Sequence, residues 1–95
     1  MNSVLQSTKE CLICGRKQNL DKHHVFFGAG LRDKSEQYGL TVWLCHNEHH
    51  VFGENSVHKN AALRRHVQQW AQKKAMKKYG WTINDFISVF HKNYL

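Results

Sequence analysis

The sequence predicts a small α+β fold, in which a cysteine knuckle and two short strands precede two C-terminal helices. The chain has 95 residues, which is enough for one domain with a modest core. Its three cysteines and eight histidines follow an order that suits metal ligation, and two β-favouring runs lie among them. The last third of the chain instead repeats apolar residues every three or four positions, as amphipathic helices do.

No proline, repeat or low-complexity segment divides the chain, so the sequence predicts one unit. We predict that residues 1–10 form a flexible or loosely docked arm and that residues 11–60 form the metal-stabilised core. Residues 61–95 are predicted to form a basic helical extension packed on that core. The arm is polar and has no secretion signal, and no apolar run is long enough to span a bilayer. We therefore expect a cytoplasmic protein that does not enter the membrane.

The first element is a knuckle. Cys11-Leu-Ile-Cys14-Gly15 predicts a tight turn, in which the glycine allows a left-handed backbone beside two thiolates. Because the cysteine count is odd and two of the three form a Cys-x-x-Cys hook, the pattern favours metal ligation in a reducing compartment over disulfides. A redox-active Cys-x-x-Cys pair and three reduced cysteines without a metal are the alternatives.

Two strands follow. Residues 20–27 predict a strand that carries the adjacent pair His23 and His24 and ends at a Gly-Ala-Gly run. The charged residues 31–37 then predict a polar loop, of the kind that often contacts a ligand. Residues 40–44 are β-branched and aromatic, and they predict a second, antiparallel strand that leads into the third cysteine.

A helix is predicted just after the second strand, with His49 and His50 on its first turns and an end at residues 53–56. Cys45 and His49 complete, with the Cys-x-x-Cys hook, a closed Cys3His site for a structural zinc ion. The spacing leaves His50 and His46 open as the fourth ligand in place of His49.

The remaining histidines suggest a second kind of chemistry. A neutral imidazole binds divalent ions, and an imidazole with a pKa near neutrality can take a proton from water. Consecutive strand residues point to opposite faces, so His23 and His24 predict divided roles, one as a ligand and one as a base. For His46, His66 and His91 the pattern favours ordinary hydrogen-bonded residues.

Two helices are predicted in the last third. The first runs from about Lys59 to Tyr79, where Gly80 is placed to cap it. Its apolar stripe is formed by Leu63, Val67, Trp70 or Ala71, Ala75 and Tyr79. The second follows Thr82, which with Asp85 has the pattern of a capping box. Its stripe of Ile83, Phe86, Ile87 and Phe90 predicts core positions.

Positive charge points to a polyanionic partner such as nucleic acid. Lysines and arginines number 14 against 7 acidic residues, which gives a formal charge of +7. The candidate phosphate contacts are basic residues of the polar loop and of the first C-terminal helix: Arg32, Lys34, Arg64, Arg65, Lys73 and Lys77. A solvated helix face accounts equally well for the helical ones.

These motifs together resemble a known family over residues 11–60. The set comprises Cys11-Leu-Ile-Cys14-Gly15, His23-His24-Val-Phe, Leu-Cys45 with His49-His50, and Ser-Val-His58-Lys-Asn. It is similar to the HNH, or ββα-metal, nucleases with a treble-clef zinc knuckle, and most of all to small bacteriophage and prophage members of the recombination-enhancement type.

The resemblance implies a metal-dependent DNA endonuclease encoded by a phage or prophage. Cys11, Cys14, Cys45 and His49 would hold the structural zinc ion. His23, His50 and His58 would hold a catalytic divalent ion, Mg²⁺ or a transition ion, and His24 would be the general base. Cleavage would leave a 5′-phosphate, and the DNA could be branched or single-stranded.

One departure from the family's pattern is the middle asparagine, which orients the general base and has no clear counterpart here. Ser35, Gln37 or a backbone carbonyl are the candidate substitutes. The departure supports a second hypothesis, a catalytically inactive, zinc-stabilised module that binds or recruits DNA. A third hypothesis, a protein-interaction adaptor, draws only on the apolar stripe of the last helix.

Overall fold

The computed structural model describes residues 3–51 and 53–95, and it confirms a small α+β fold. In chain order, the elements are β1 (Leu20–His24), α1 (Leu31–Tyr38), β2 (Thr41–Cys45), a π-helical turn (His46–His50), α2 (Ala61–Tyr79) and α3 (Ile83–Phe90). The two strands form one antiparallel pair, with Lys22 opposite Trp43 and His24 opposite Thr41.

The strand β1 ends at His24 and is shorter than predicted. One more backbone bond to the partner strand follows, from the Val25 N–H to the Leu40 carbonyl at 3.1 Å, before the backbone turns away. The N–H of Phe26 donates to the Ser35 hydroxyl at 3.0 Å, and that hydroxyl donates to the Phe26 carbonyl at 2.7 Å. Ser35 is fully buried, and its hydroxyl pairs with the two backbone groups of Phe26 that a neighbouring strand would otherwise satisfy. The chain can then turn towards α1.

The polar loop predicted over residues 31–37 is wrong, since these residues form α1. Gly30 and Gly39 flank the helix with left-handed backbones, at φ of 83° and 71°. The charged side chains make this segment resemble a loop, but glycines set both ends of the helix and Ser35 is its buried residue. A hydrophobic stripe, which is the usual signal of a helix, is lacking in this segment.

The helix predicted after β2 is a single π-helical turn. Gly53 closes the turn by donating from its N–H to the Asn47 carbonyl at 2.7 Å. A Cβ at position 53 would lie 2.1 Å from the Glu48 carbonyl oxygen, so only glycine fits this close approach.

The C-terminal helices pack on the core as predicted. The rings of Phe86 and Phe90 are fully buried and lie 5.3 and 4.8 Å from the ring of Phe26. The capping box of α3 is present, but Ile83 is 42% exposed, so the predicted stripe is wrong at that position. Gln72 is a buried polar residue that fixes the C-terminal tail, because its side chain accepts from the Tyr94 N–H at 2.8 Å.

The described part of the N-terminal segment, residues 3–10, is docked where the sequence led us to expect a loose arm. The Val4 N–H donates to the Gly39 carbonyl at 2.9 Å, and the Trp43 N–H donates to the Gln6 side chain at 2.8 Å. Leu5 is 6% exposed. The segment covers the edge of β2 that does not face β1, which satisfies backbone groups that would otherwise stay open.

Candidate metal centres and the adjoining cavity

The three cysteines and one histidine form the first cluster, here called the sulfur cluster: Cys11, Cys14, Cys45 and His49. Their ligand atoms all lie within 4.8 Å of one another. The sulfur atoms of Cys14 and Cys45 are 3.8 Å apart, and the Nδ1 atom of His49 lies 3.6 Å from the Cys11 sulfur and 3.0 Å from the Cys45 sulfur. Of the histidines that the sequence left open as fourth ligand, the structure brings His49 to the sulfurs.

Three different elements bring these donors together. The knuckle closes on itself, because the Gly15 N–H donates to the Cys11 carbonyl at 2.9 Å and Gly15 has a φ of 77°. Cys45 ends β2, and His49 follows on the π-helical turn. The knuckle is fixed to the strand by the Leu12 N–H, which donates to the Trp43 carbonyl at 2.8 Å.

The separation of two sulfurs in the sulfur cluster fits a tetrahedral ion. Two thiolates bound at ~2.3 Å to one tetrahedral zinc ion lie ~3.8 Å apart. The separation of the Cys14 and Cys45 sulfurs, 3.8 Å, matches this value. Three sulfurs and one imidazole nitrogen are also the donor set of a closed structural zinc site. The sulfur cluster could therefore hold a metal ion such as zinc.

The ionisation of the thiols supports the same conclusion. Burial by itself raises the pKa of Cys11, but backbone hydrogen bonds at Cys14, Cys45 and Ile13 outweigh it and lower the pKa to about 6. Burial and the neighbouring Cys11 and Cys14 sulfurs raise the pKa of Cys45 to about 11. Without a metal ion, the Cys11 thiol therefore ionises easily, whereas the nearby Cys45 thiol does not. A bound cation would stabilise both thiolates.

The second cluster, here called the imidazole cluster, consists of His23, His50 and His58. Their ligand atoms lie within 4.8 Å of one another. The ring centroids are 5.2 Å apart for His23 and His50, 5.3 Å for His23 and His58, and 4.8 Å for His50 and His58. The structure therefore brings together the three histidines that the family resemblance implies as ligands of the catalytic ion.

His58 reaches this cluster because the chain folds back on the π-helical turn. The Val57 N–H donates to the His49 carbonyl at 2.9 Å, and the His58 N–H donates to the His50 carbonyl at 3.3 Å. Residues 57 and 58 thus run beside residues 49 and 50. This pairing explains how a histidine eight positions after His50 lies next to it without a continuous helix.

The rings of His23 and His58 are held in the form that binds metals. Burial, followed by the charges that His50 and His58 would carry, lowers the pKa of His23 to about 3. Burial, and then His50 and Arg64, also lowers the pKa of His58. Rings with lowered pKa values are neutral at physiological pH, and each then offers a nitrogen lone pair.

Asp21 orients one ring of the imidazole cluster. The Nδ1 atom of His50 lies 2.9 Å from the Asp21 carboxylate, which also contacts Nδ1 of His46. Burial would raise the pKa of Asp21, but hydrogen bonds from His46 and His50 outweigh it and lower the pKa. With Nδ1 directed to a carboxylate, His50 keeps Nε2 for an ion, which is the usual arrangement of a metal-bound histidine.

Sequence reasoning missed Asp21, although a signal was present. Residues i and i+2 of a strand share a face, so Asp21 lies on the same face of β1 as His23. The Asp21, His46 and His50 side chains are themselves close enough to hold an ion.

His24 lies outside the imidazole cluster but lines the same cavity. This cavity has a volume of about 280 Å³ and is lined by Lys22, His23, His24, Phe27, Gly28, Arg32, His50 and His58. The Nε2 atom of His24 lies 3.9 Å from a carboxylate oxygen of Glu36. Burial lowers the pKa of His24, and the Glu36 charge opposes that shift. The cavity thus holds the three clustered imidazoles and one further imidazole at its wall.

The predicted basic residues divide into two groups. Arg32 lines the cavity. The Arg64 guanidinium donates at 3.3 Å to the carbonyl of Val57, the residue that precedes His58 of the cavity. The described residues that line this cavity include none of the other predicted phosphate contacts, which are Lys34, Arg65, Lys73 and Lys77. Sequence reasoning missed Lys22, which lines the cavity from β1. Its signal was its position two residues before His24 on the same strand face.

No family model, curated protein or solved structure matches this chain. Within residues 3–51 and 53–95, no helix is both long and apolar enough to cross a membrane.

Proposed function

We propose that this protein is a metal-dependent DNA endonuclease of the HNH type, with a treble-clef ββα-metal core over residues 11–60. One observation carries the proposal: three imidazoles converge on one side of a cavity whose wall also holds a separate histidine and two cationic side chains. A site of this composition offers an ion position, a proton acceptor and phosphate contacts within one small volume.

In the proposed mechanism the sulfur cluster holds a structural zinc ion that fixes the knuckle, the end of β2 and the π-helical turn. His23, His50 and His58 hold a divalent ion, Mg²⁺ or a transition ion. When bound, this ion polarises the phosphodiester and stabilises the charge on the leaving oxygen.

His24 acts as the general base of the reaction. Its ring is neutral at physiological pH, because burial lowers its pKa, and it lines the same cavity as the imidazole cluster. A neutral imidazole can take a proton from the attacking water. Lys22 and Arg32 provide positive charge to hold the phosphate in front of it.

The positive charge of the whole chain favours DNA as the substrate. The formal charge of +7 draws polyanions to the surface, and Lys22 and Arg32 bring part of this charge to the cavity. The hypothesis of an inactive DNA-binding module shares this charge but gives no role to the separate histidine in the cavity.

A nicking assay tests the proposal. Purified zinc-loaded protein is incubated with supercoiled plasmid in Mg²⁺ or Mn²⁺, and nicked product is measured over time. We expect His24→Ala to slow nicking by ~10²-fold or more, because the general base is lost. His66→Ala is the matched control, since His66 is an exposed histidine on α2, and it should nick at the wild-type rate.

The zinc content and the melting curve of both variants should equal those of the wild type. Nicking by His24→Ala at the wild-type rate would overturn the assignment of the base. Salt-sensitive DNA binding by the wild type without nicking in either ion would instead support the inactive DNA-binding module.

A further inference from the structure

Glu36 has a buried carboxylate oxygen that lacks a hydrogen bond. One oxygen, Oε1, accepts from the Lys22 ammonium at 2.9 Å. The other, Oε2, is buried and has no hydrogen-bond partner among the described residues. The Lys22 hydrogen bond lowers the pKa of Glu36, so the carboxyl is ionised at neutral pH. The Glu36 side chain as a whole is 42% exposed, but this one oxygen is shielded from water, and a shielded charged oxygen without a donor costs free energy. A donor is therefore expected to face it.

The His24 ring is the donor that this oxygen faces. Its Nε2 atom lies 3.9 Å from Oε2, which is about 1 Å beyond hydrogen-bond length. Catalytic hydrogen bonds are often long in the absence of substrate and shorten when the site is filled. A small rotation of either side chain closes this gap.

The fold holds Glu36 in this position. Lys22 and His24 share a face of β1, and α1 lays Glu36 across that face. The Lys22 ammonium fixes Oε1 and so directs Oε2 towards His24. The hydroxyl of Ser35, one of the substitutes that the sequence suggested, is engaged with both backbone groups of Phe26. Gln37 is exposed.

We propose that Glu36 is the positioning residue for His24. By accepting a hydrogen bond from Nε2–H, it fixes the neutral tautomer in which Nδ1 carries the lone pair. A neutral imidazole has one N–H and one lone pair, so the nitrogen that Glu36 does not contact is the one that accepts the proton from water. The catalytic consequence rests on the proposed nuclease function, whereas the tautomer of His24 does not.

The first test measures the ring nitrogens by NMR. Full-length, zinc-loaded, ¹⁵N-labelled wild-type protein is compared with Glu36→Ala at neutral pH, and His24→Asn assigns the His24 signals. We expect the wild type to hold His24 in the Nε2–H tautomer and Glu36→Ala to give a mixture. Glu54→Ala removes an exposed charge and is the matched control, which should keep the wild-type tautomer.

Protonation of His24 at Nδ1 in the wild type would overturn the proposal, and this result needs no variant to fold. Equal tautomer populations in the wild type and a folded Glu36→Ala would overturn it as well. Zinc content and the melting curve show whether the variant is folded.

The second test measures nicking by the same proteins. We expect Glu36→Ala to lower kcat by no more than His24→Ala does, which for loss of a general base is ~10²–10⁴-fold, because Glu36 acts only through that base. The double variant with His24→Ala should be no slower than His24→Ala alone, because both changes disable the same base. Additive losses would contradict a role through His24. A wild type that does not nick would defeat the proposed function, while the NMR result would still decide the pairing.

Discussion

The sulfur cluster and the imidazole cluster share one π-helical turn but differ in chemistry. His49 completes the sulfur cluster, and the next residue, His50, belongs to the imidazole cluster. Cys11 and Cys45 of the sulfur cluster are buried, and its donor set is closed at four. The imidazole cluster has three donors and opens onto a cavity of about 280 Å³. A closed donor set suits a structural ion, and three donors beside a cavity leave room for substrate or water.

The electrostatic requirements of the two clusters also differ. Burial and the neighbouring sulfurs raise the pKa of Cys45 to about 11, so the sulfur cluster needs a cation before all its thiols can ionise. In the imidazole cluster, burial lowers the pKa of His23 to about 3 and also lowers the pKa of His58, so these two rings are neutral without an ion. The first ion should therefore be part of the fold, and the second should exchange. Predictions that separate the two clusters follow from this difference.

The largest effect is expected from Cys45→Ser. Cys45 is fully buried at the end of β2, and its loss opens the sulfur cluster. Binding of a structural zinc ion contributes about 10–16 kcal/mol in small zinc domains, so the variant should lose zinc and its cooperative unfolding transition. Circular dichroism on heating, with zinc measured by mass spectrometry, tests this. A variant that lacks zinc but melts like the wild type would show that a metal ion at the sulfur cluster does not stabilise the fold.

Replacing the two adjacent histidines one at a time sharpens the comparison. His49→Ala should lose tightly bound zinc and much of its thermal stability, because it removes a ligand from the closed site. His50→Ala should keep both properties but bind Mn²⁺ at least ~10-fold more weakly, because it removes a ligand from the open site. Each variant is the other's control, and isothermal titration with Mn²⁺ measures the second effect. Equal zinc loss in both variants would contradict the assignment of His49 to the sulfur cluster and of His50 to the imidazole cluster.

The smallest effect is expected from Asp21→Asn. The carboxylate accepts a hydrogen bond from Nδ1 of His50 and so leaves Nε2 for the ion. An asparagine keeps the shape but loses the charge, and we expect Mn²⁺ affinity to fall by ~10-fold or more, at the low end of the range for such partners. Zinc content should stay at the wild-type value. Unchanged Mn²⁺ affinity, measured by the same titration, would show that His50 needs no orienting carboxylate.

The sequence predicted the parts of the molecule that local patterns determine. The β-branched run gave β2, and the threonine and aspartate of a capping box gave the start of α3. Both signals lie within a few residues of the feature that they specify. The spacing of cysteines and histidines predicted the sulfur cluster but left His46, His49 and His50 open as its fourth ligand, and the members of the imidazole cluster came from the family resemblance.

The parts that failed depend on contacts between distant residues. The helix α1 lacks an apolar stripe and is held by Ser35 against the backbone of Phe26, which no local pattern announces. Asp21 acquires its role only when β1 packs beside the π-helical turn, and Lys22 and Glu36 acquire theirs only when β1 and α1 pack together, so the sequence motifs do not indicate them. The N-terminal segment is docked through hydrogen bonds to the edge of β2, which a polar composition does not indicate.

Anomalous scattering from crystals of the zinc-loaded protein soaked in Mn²⁺ tests the division between the two clusters most directly. We predict a zinc peak in the sulfur cluster, among Cys11, Cys14, Cys45 and His49. A separate manganese peak should lie in the imidazole cluster, among His23, His50 and His58. Manganese that binds elsewhere, or an imidazole cluster that stays empty at saturating Mn²⁺, would contradict the claim that the turn separates a structural ion from an exchangeable one.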